Sequence, residues 1–187
     1  DSGHTYFEKL FNTCSELMQL IVNNPKPVIA EVNGIATAAG CQLVASCDLA
    51  IASDESMFAT PGVNIGLFCS TPMVALSRNV TNKHAMEMLL TGDMIGAQKA
   101  TEIGLINNNV PSENLVQETL KLAKKVSSKS SMTLKIGKQA FYAQSSLDLS
   151  EAYKFTSQVM LDNILKDDAK EGIEAFINKR DPEWKDK

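Results

Sequence analysis

Val28-Ile29-Ala30-Glu31-Val32-Asn33-Gly34-Ile35-Ala36-Thr37-Ala38-Ala39-Gly40-Cys41-Gln42-Leu43 is the stretch whose reading decides the fold. Its first five residues are rich in β-branched side chains and bounded by Pro27 before and Asn33-Gly34 after, as in a buried strand. A loop of small residues follows from Gly34 to Gly40, and Gln42 to Ser46 reads as a helix. Next, Asp48-Leu49-Ala50-Ile51-Ala52 is a second short strand, and Phe58-Ala59-Thr60-Pro61-Gly62 begins a loop of Pro and Gly. Upstream, apolar residues recur at Phe7, Leu10, Phe11, Cys14, Leu17, Met18 and Ile21, offsets that lay one apolar stripe along a helix. Beyond Pro72 the pattern predicts helices over about 72–79, 83–90, 97–103, 113–127, 131–144, 149–166 and 168–179. Alternating elements followed by helices specify an α/β core with a helical C-terminal part. Ser127 to Ser131 reads as a helix-to-helix turn, and the polar run Lys179 to Lys187 as a solvated tail.

The composition narrows the function classes. With 187 residues the chain is long enough for one domain with a proper core, and 18 basic against 22 acidic residues leave a net charge of -4. That balance has no field for wrapping nucleic acid or docking on anionic lipid. The four cysteines, Cys14, Cys41, Cys47 and Cys69, form no CxxC, and His4 and His84 have no zinc-ligand spacing to them, so no metal is expected. Cys14 and Cys41 sit in apolar helical patterns, as small buried hydrophobes do in a reducing compartment. No run approaches the roughly 18 apolar residues of a membrane span, and the N-terminus lacks a signal-peptide layout. The expectation is a soluble intracellular chain without a membrane span.

Chemistry points to the small-residue loop. A strand feeds backbone that a ligand could approach closely, and the loop opens into a helix N-terminus, where free N–H groups and the helix dipole favour an anion or a carbonyl oxygen gaining negative charge. Close packing of strand on helix explains the same small residues equally well. Neither a GxGxxG nor a Walker pattern is present, which argues against a nucleotide phosphate site of the usual kinds.

Asn33-Gly34, Gly40-Cys41-Gln42-Leu43, Cys47-Asp48-Leu49-Ala50-Ile51-Ala52, Phe58, Pro61 and Ile65-Gly66 together resemble the enoyl-CoA hydratase/isomerase, or crotonase, superfamily. Thr91-Gly92-Asp93, Ala97-Gln98-Lys99-Ala100, Gly104-Leu105, Gly172-Ile173-Glu174-Ala175-Phe176 and Lys179-Arg180 continue the likeness in order over nearly the whole chain. The resemblance implies an α/β fold with a ββα spiral core, its C-terminal portion over residues 1–110, and a helical trimerisation region over 111–187. It further implies a homotrimer or hexamer, and an acyl-CoA thioester as partner, with CoA part of the substrate and no separate cofactor. Localisation would be the mitochondrial matrix in a eukaryote and the cytoplasm in a bacterium. In such proteins two backbone N–H groups hold the thioester oxygen and stabilise an enolate. The resemblance puts one donor at Ala39, and the other in an earlier turn for which no segment is found, so the chain is expected to begin after the first turns of the spiral.

The departures from the family pattern bear on mechanism. Two glutamates of the hydratases align with Gln42 and Gly62, 20 residues apart and fixed in register by Cys41-Gln42-Leu43 and Pro61-Gly62. Gln42 binds a water or acyl group but exchanges no proton near neutral pH, and Gly62 has no side chain. The remaining candidates carry bland readings: Glu31 as an exposed or paired strand residue, Asp48 as a turn or cap residue, and Cys69 as a buried or loop-lining thiol. Glu87 and His84 read as helix-surface residues, while Thr37, Asn64 and Cys69 could face an acyl group, Cys69 being the one of the three with a plausible nucleophile. The resemblance assigns Ala38, Gly40, Pro61, Phe68, Phe176 and Lys179 to the acyl-CoA site, with Phe176 and Lys179 sharing one face of the last helix. The expected function is binding of an acyl-CoA thioester and stabilisation of its enolate, with two-glutamate hydration in doubt. The alternative is a non-catalytic acyl-CoA-binding or regulatory protein of the same fold.

Overall fold

A computed structural model describes residues 2–186. Helix α1 (Ser2–Asn23) leads into β1 (Ile29–Val32), β2 (Ile35–Thr37), α2 (Ala39–Ser46), β3 (Leu49–Ser53) and β4 (Met57–Ala59). A 3-10 turn (Pro61–Ile65) precedes α3 (Ser70–Asn79), α4 (Asn82–Thr91), β5 (Ile95–Gly96), α5 (Ala97–Glu102) and β6 (Asn108–Val110). A second 3-10 turn (Ser112–Asn114) and helices α6 (Leu115–Ser127), α7 (Ser131–Gln144), α8 (Leu149–Ile164) and α9 (Asp167–Ile177) complete the chain. Two compact units form, one from the residues up to Val22 with Val28–Leu122, the other from Asn23–Pro27 with the residues from Ala123 onward.

The first unit holds two three-stranded sheets. One has the order β1-β3-β6, all parallel; in the other β2 runs parallel to β4, which pairs antiparallel with β5. Four stretches expected as loop are therefore strand: Ile35–Thr37 lies within the small-residue segment, Met57–Ala59 includes Phe58, and Ile95–Gly96 and Asn108–Val110 lie between predicted helices. Strands this short give too few alternations for periodicity to declare them. The sheets are joined by a buried pair of serines whose hydroxyl oxygens lie 2.8 Å apart. Ser56 Oγ donates to the Val32 carbonyl at 3.0 Å and accepts from the Gly34 N–H at 3.1 Å, so the β1–β2 turn is tied to the β3–β4 turn. Gly34, at φ 117°, adopts there a conformation that a side chain disfavours.

Phe58, Leu76 and Leu89 cluster with Ala52 and Ala100 in the core of the first unit. The apolar stripe on α1 is only partly used: Met18 and Ile21 are buried, whereas Phe7, Leu10, Phe11 and Leu17 are exposed. No helix among the described residues is long and apolar enough to cross a membrane.

In the second unit the closing segment is anchored, which corrects the reading of a solvated tail; Asp1 and Lys187 lie outside the described residues. Asp168, only 1% exposed, accepts from the backbone N–H groups of Lys185 at 2.8 Å and Asp186 at 3.0 Å. Asp186 Oδ1 in turn accepts from Ser131 N–H at 2.8 Å, and the Trp184 indole N–H donates to the Ser128 carbonyl at 2.8 Å. Glu171 pairs with the Arg180 guanidinium and accepts from Glu183 N–H at 2.8 Å, contacts that hold its carboxyl down at about 2. Polarity alone does not mark such a strap, because its bonds run from backbone donors to acidic side chains on α9.

Asp168→Ala removes a buried charged acceptor and is expected to destabilise the second unit by about 2 kcal/mol. Chemical denaturation followed at Trp184, the only tryptophan, reads that loss, with a red-shifted emission as the strap detaches.

Candidate functional site

Parallel pairing of β2 with β4 sets Thr37 opposite Ala59, and Ala38 N–H donates to the Ala59 carbonyl at 3.0 Å. Both strands therefore release their chains at the same end, one into the start of α2 and the other into Thr60-Pro61-Gly62. Ala38, Ala39, Gly40, Gln42, Pro61 and Gly62 all belong to this one unit.

Ala38 has φ 49° and ψ -115°, a region that glycine tolerates and a Cβ does not. The turn aims the chain so that α2 begins at Ala39, and Ala38, standing at the N-cap position, has no side chain that caps the helix. The first-turn N–H groups of α2 have no acceptor within the helix, and Ala39, its first residue, is exposed. This arrangement suits a carbonyl oxygen that gains negative charge.

Gln42, one turn on, is 4% exposed, and its Oε1 lies 3.7 Å from the Cys14 thiol of α1. Gly62 sits in the 3-10 turn that Pro61 opens. Its N–H donates to Cys69 Sγ at 3.3 Å, and its carbonyl accepts from Leu67 N–H at 2.9 Å. A Cβ on Gly62 would stand 2.5 Å from the Leu67 carbonyl oxygen and 2.9 Å from Cys69 Sγ. The glycine is thus required by its neighbours, and the position has no room for any side chain.

Cys41 supplies no nucleophile. Burial, reinforced by the neighbouring Cys69, pushes the Cys41 thiol up to about 12, so it stays protonated at neutral pH. Cys69 is itself buried, as the sequence suggested. Asp48 accepts from Val28 N–H at 2.7 Å, the role of a turn residue, and Glu31 is exposed on β1. His84 Nδ1 lies 3.1 Å from Thr81 Oγ1; with Glu87, Asp93 and Lys99 it rims a shallow cleft of about 210 Å³ that includes none of the residues just described. Among the described residues no group of three His, Cys, Asp or Glu could hold a metal ion.

Phe68 follows the 3-10 turn and is 41% exposed. Phe176 and Lys179 belong to the second unit, and one expectation about them needs correction. Helix α9 ends at Ile177, so Lys179 does not share a helical face with Phe176. Arg180 N–H reaches the Ala175 carbonyl at 3.0 Å and Lys179 N–H the Phe176 carbonyl at 3.3 Å, with Lys179 at φ 52°. That pattern is a C-terminal helix stop with lysine where glycine is usual. Phe176 itself is 84% exposed.

A sequence model of the enoyl-CoA hydratase/isomerase family matches residues 5–187. The chain belongs to this family. It lies with the branch of enoyl-CoA hydratase domain-containing protein 3: the mitochondrial protein of that name from Mus musculus is 58% identical over 182 residues, covering 97% of this chain and 61% of the relative. The Homo sapiens relative, also named mitochondrial, is 54% identical over 184 residues, covering 98% of this chain and 61% of its own length. The crystal structure of human enoyl coenzyme A hydratase domain-containing protein 3 superposes with a TM-score of 0.94 at 55% identity, over 97% of this chain and 72% of that one. An enoyl-CoA hydratase from Mycobacterium smegmatis gives 0.94 at 48% identity, over 96% and 70% of the two chains. The fold is therefore that of the crotonase superfamily, and the chain spans about 61% of the length of the curated relatives it matches.

For this family member the sequence did not disclose the Cys14 contact of Gln42, because residues 28 apart reveal nothing by spacing. The crowding at Gly62 left only a faint signal, Cys69 at seven residues' distance. Two substitutions test the geometry. Ala38→Gly releases backbone strain and is expected to raise stability by about 1 kcal/mol, whereas Gly62→Ala is expected to lower it by about 2 kcal/mol through overpacking. Paired denaturant midpoints measure both.

Proposed function

We propose that the chain binds acyl-CoA thioesters, with the thioester oxygen on the Ala39 N–H, and does not carry out two-glutamate hydration. The observation that carries this reading is Gly62, where a Cβ would stand 2.5 Å from the Leu67 carbonyl oxygen. A carboxylate at that position is excluded sterically as well as by sequence. At the other position Gln42 offers an amide, which donates and accepts hydrogen bonds but does not transfer a proton near neutral pH. The backbone donor, by contrast, needs no side chain, and the start of α2 retains it. Enolate stabilisation at Ala39 is the chemistry left to this site, with water or acyl group held by Gln42. The same crowding favours the second reading, a non-catalytic acyl-CoA-binding or regulatory member of the family.

Family membership supports acyl-CoA as the partner; in this reading CoA enters as part of the substrate. The names of the relatives support a mitochondrial location in a eukaryote, and the proposed compartment is the matrix. Assembly as a homotrimer or hexamer would cover the large apolar residues of the second unit that stand exposed in the single chain, among them Tyr153, Met160, Leu161 and Phe176.

Calorimetric titration with acetoacetyl-CoA is expected to give saturable binding. Hydration of crotonyl-CoA, followed at the enoyl thioester absorbance, is expected to run at least ~10²-fold below a hydratase with both glutamates, the loss that follows from removing acid–base groups. Turnover at an ordinary hydratase rate would overturn the reading.

A further inference from the structure

The thiol of Cys14 reaches Gln42, a polar side chain of the candidate site. Cys14 is half-buried on α1, and its Sγ lies 3.7 Å from Gln42 Oε1, within reach for a sulfur donor. Gln42 is 4% exposed, and a buried primary amide costs free energy unless its polar ends are matched. Its backbone is occupied by the helix: Gln42 N–H donates to the Ala38 carbonyl at 3.0 Å, and its carbonyl accepts from Ser46 Oγ at 2.8 Å. On the side chain, Oε1 faces the thiol, while Nε2 makes no hydrogen bond among the described residues. A thiol is a weak donor, and the glutamine oxygen is an acceptor that would otherwise serve equally well toward a ligand.

From this geometry we propose that Cys14 is a positioning residue for Gln42. By engaging Oε1 it fixes the amide with Nε2 as the ligand-facing end, so that the site offers a hydrogen-bond donor where a carboxylate would offer an acceptor. The inference rests on the acyl-CoA reading above and adds a residue and a polarity to it. A donor at that point holds an oxygen on the acyl chain, and contributes nothing to an acyl chain that lacks one. Without the thiol the amide is free to turn, and the preference is lost.

The test compares acetoacetyl-CoA with butyryl-CoA, ligands that differ by a 3-oxo group, whose oxygen accepts hydrogen bonds but does not donate them, by calorimetry on the full chain. The unmodified protein is expected to bind the 3-oxo ligand about fivefold more tightly. Cys14→Ala is expected to remove that preference while leaving butyryl-CoA affinity within about twofold. Cys14→Ser, which restores an O–H donor, is expected to recover the preference. Should Cys14→Ala fail to fold, Cys14→Val fills the thiol's space without a strong donor and reads the same loss. Equal affinity of the unmodified protein for the two ligands, or a preference that persists in Cys14→Ala or Cys14→Val, overturns the positioning role and leaves the acyl-CoA reading intact. So does equal weakening of both ligands, or a Cys14→Ser variant that behaves like Cys14→Ala. Absence of binding to either ligand by the unmodified protein overturns the acyl-CoA reading and the positioning role with it.

Discussion

The parallel pairing of β2 with β4 is the constraint on which the candidate site depends. A three-residue ladder, Ile35 with Met57, Ala36 with Phe58 and Thr37 with Ala59, brings two chain segments out of the sheet side by side. Because the strands are parallel, both segments leave at their carboxyl ends, one into the start of α2 and the other into the Pro61 turn. One more hydrogen bond, from Ala38 N–H to the Ala59 carbonyl, carries the register past the end of the strands. It also holds Ala38 in its strained conformation, which turns the chain into α2 and leaves the Ala39 N–H unclaimed by the helix. A one-residue slip of this ladder would exchange inward and outward faces and separate the donor from the turn.

Within that frame Gln42 and Gly62 are held in different ways. Gly62 is fixed by contact: Leu67 and Cys69 occupy the space around it, one through backbone and the other through a thiol that accepts its N–H. Gln42 is fixed by burial and by Cys14. The first arrangement removes a side chain altogether, whereas the second keeps a polar group of neutral charge. A backbone donor and an amide suit hydrogen bonding rather than movement of a proton.

Much of this was legible in the sequence, and the reasons are local. The strand at Val28–Val32, the helix opening at the small residues and the helices after Pro72 announce themselves by bounded β-branched runs and by apolar spacing. The helix α7 occupies Ser131–Gln144 as its spacing indicates, and Ser130 caps it by accepting from Thr133 N–H at 3.1 Å. What was not legible depends on contacts distant in sequence. Strand β4 is too short for a period, and its burial arises from neighbours that sequence spacing does not reveal. The strap from Arg180 to Asp186 looks like solvent-facing charge until Asp168 and Glu171 are seen to take its backbone donors. Lys179 fell in the helical pattern, yet it adopts a left-handed backbone that ends α9 two residues earlier, at Ile177.

The most direct measurement is a crystal structure of the protein with butyryl-CoA bound. The account predicts the thioester oxygen 2.7–3.1 Å from the Ala39 amide nitrogen, the range of an oxyanion donor, with Gln42 as the polar side chain facing the acyl group and no Asp or Glu carboxylate within hydrogen-bond reach of its α- or β-carbon. A thioester oxygen held elsewhere, or a carboxylate poised at those carbons, would contradict it.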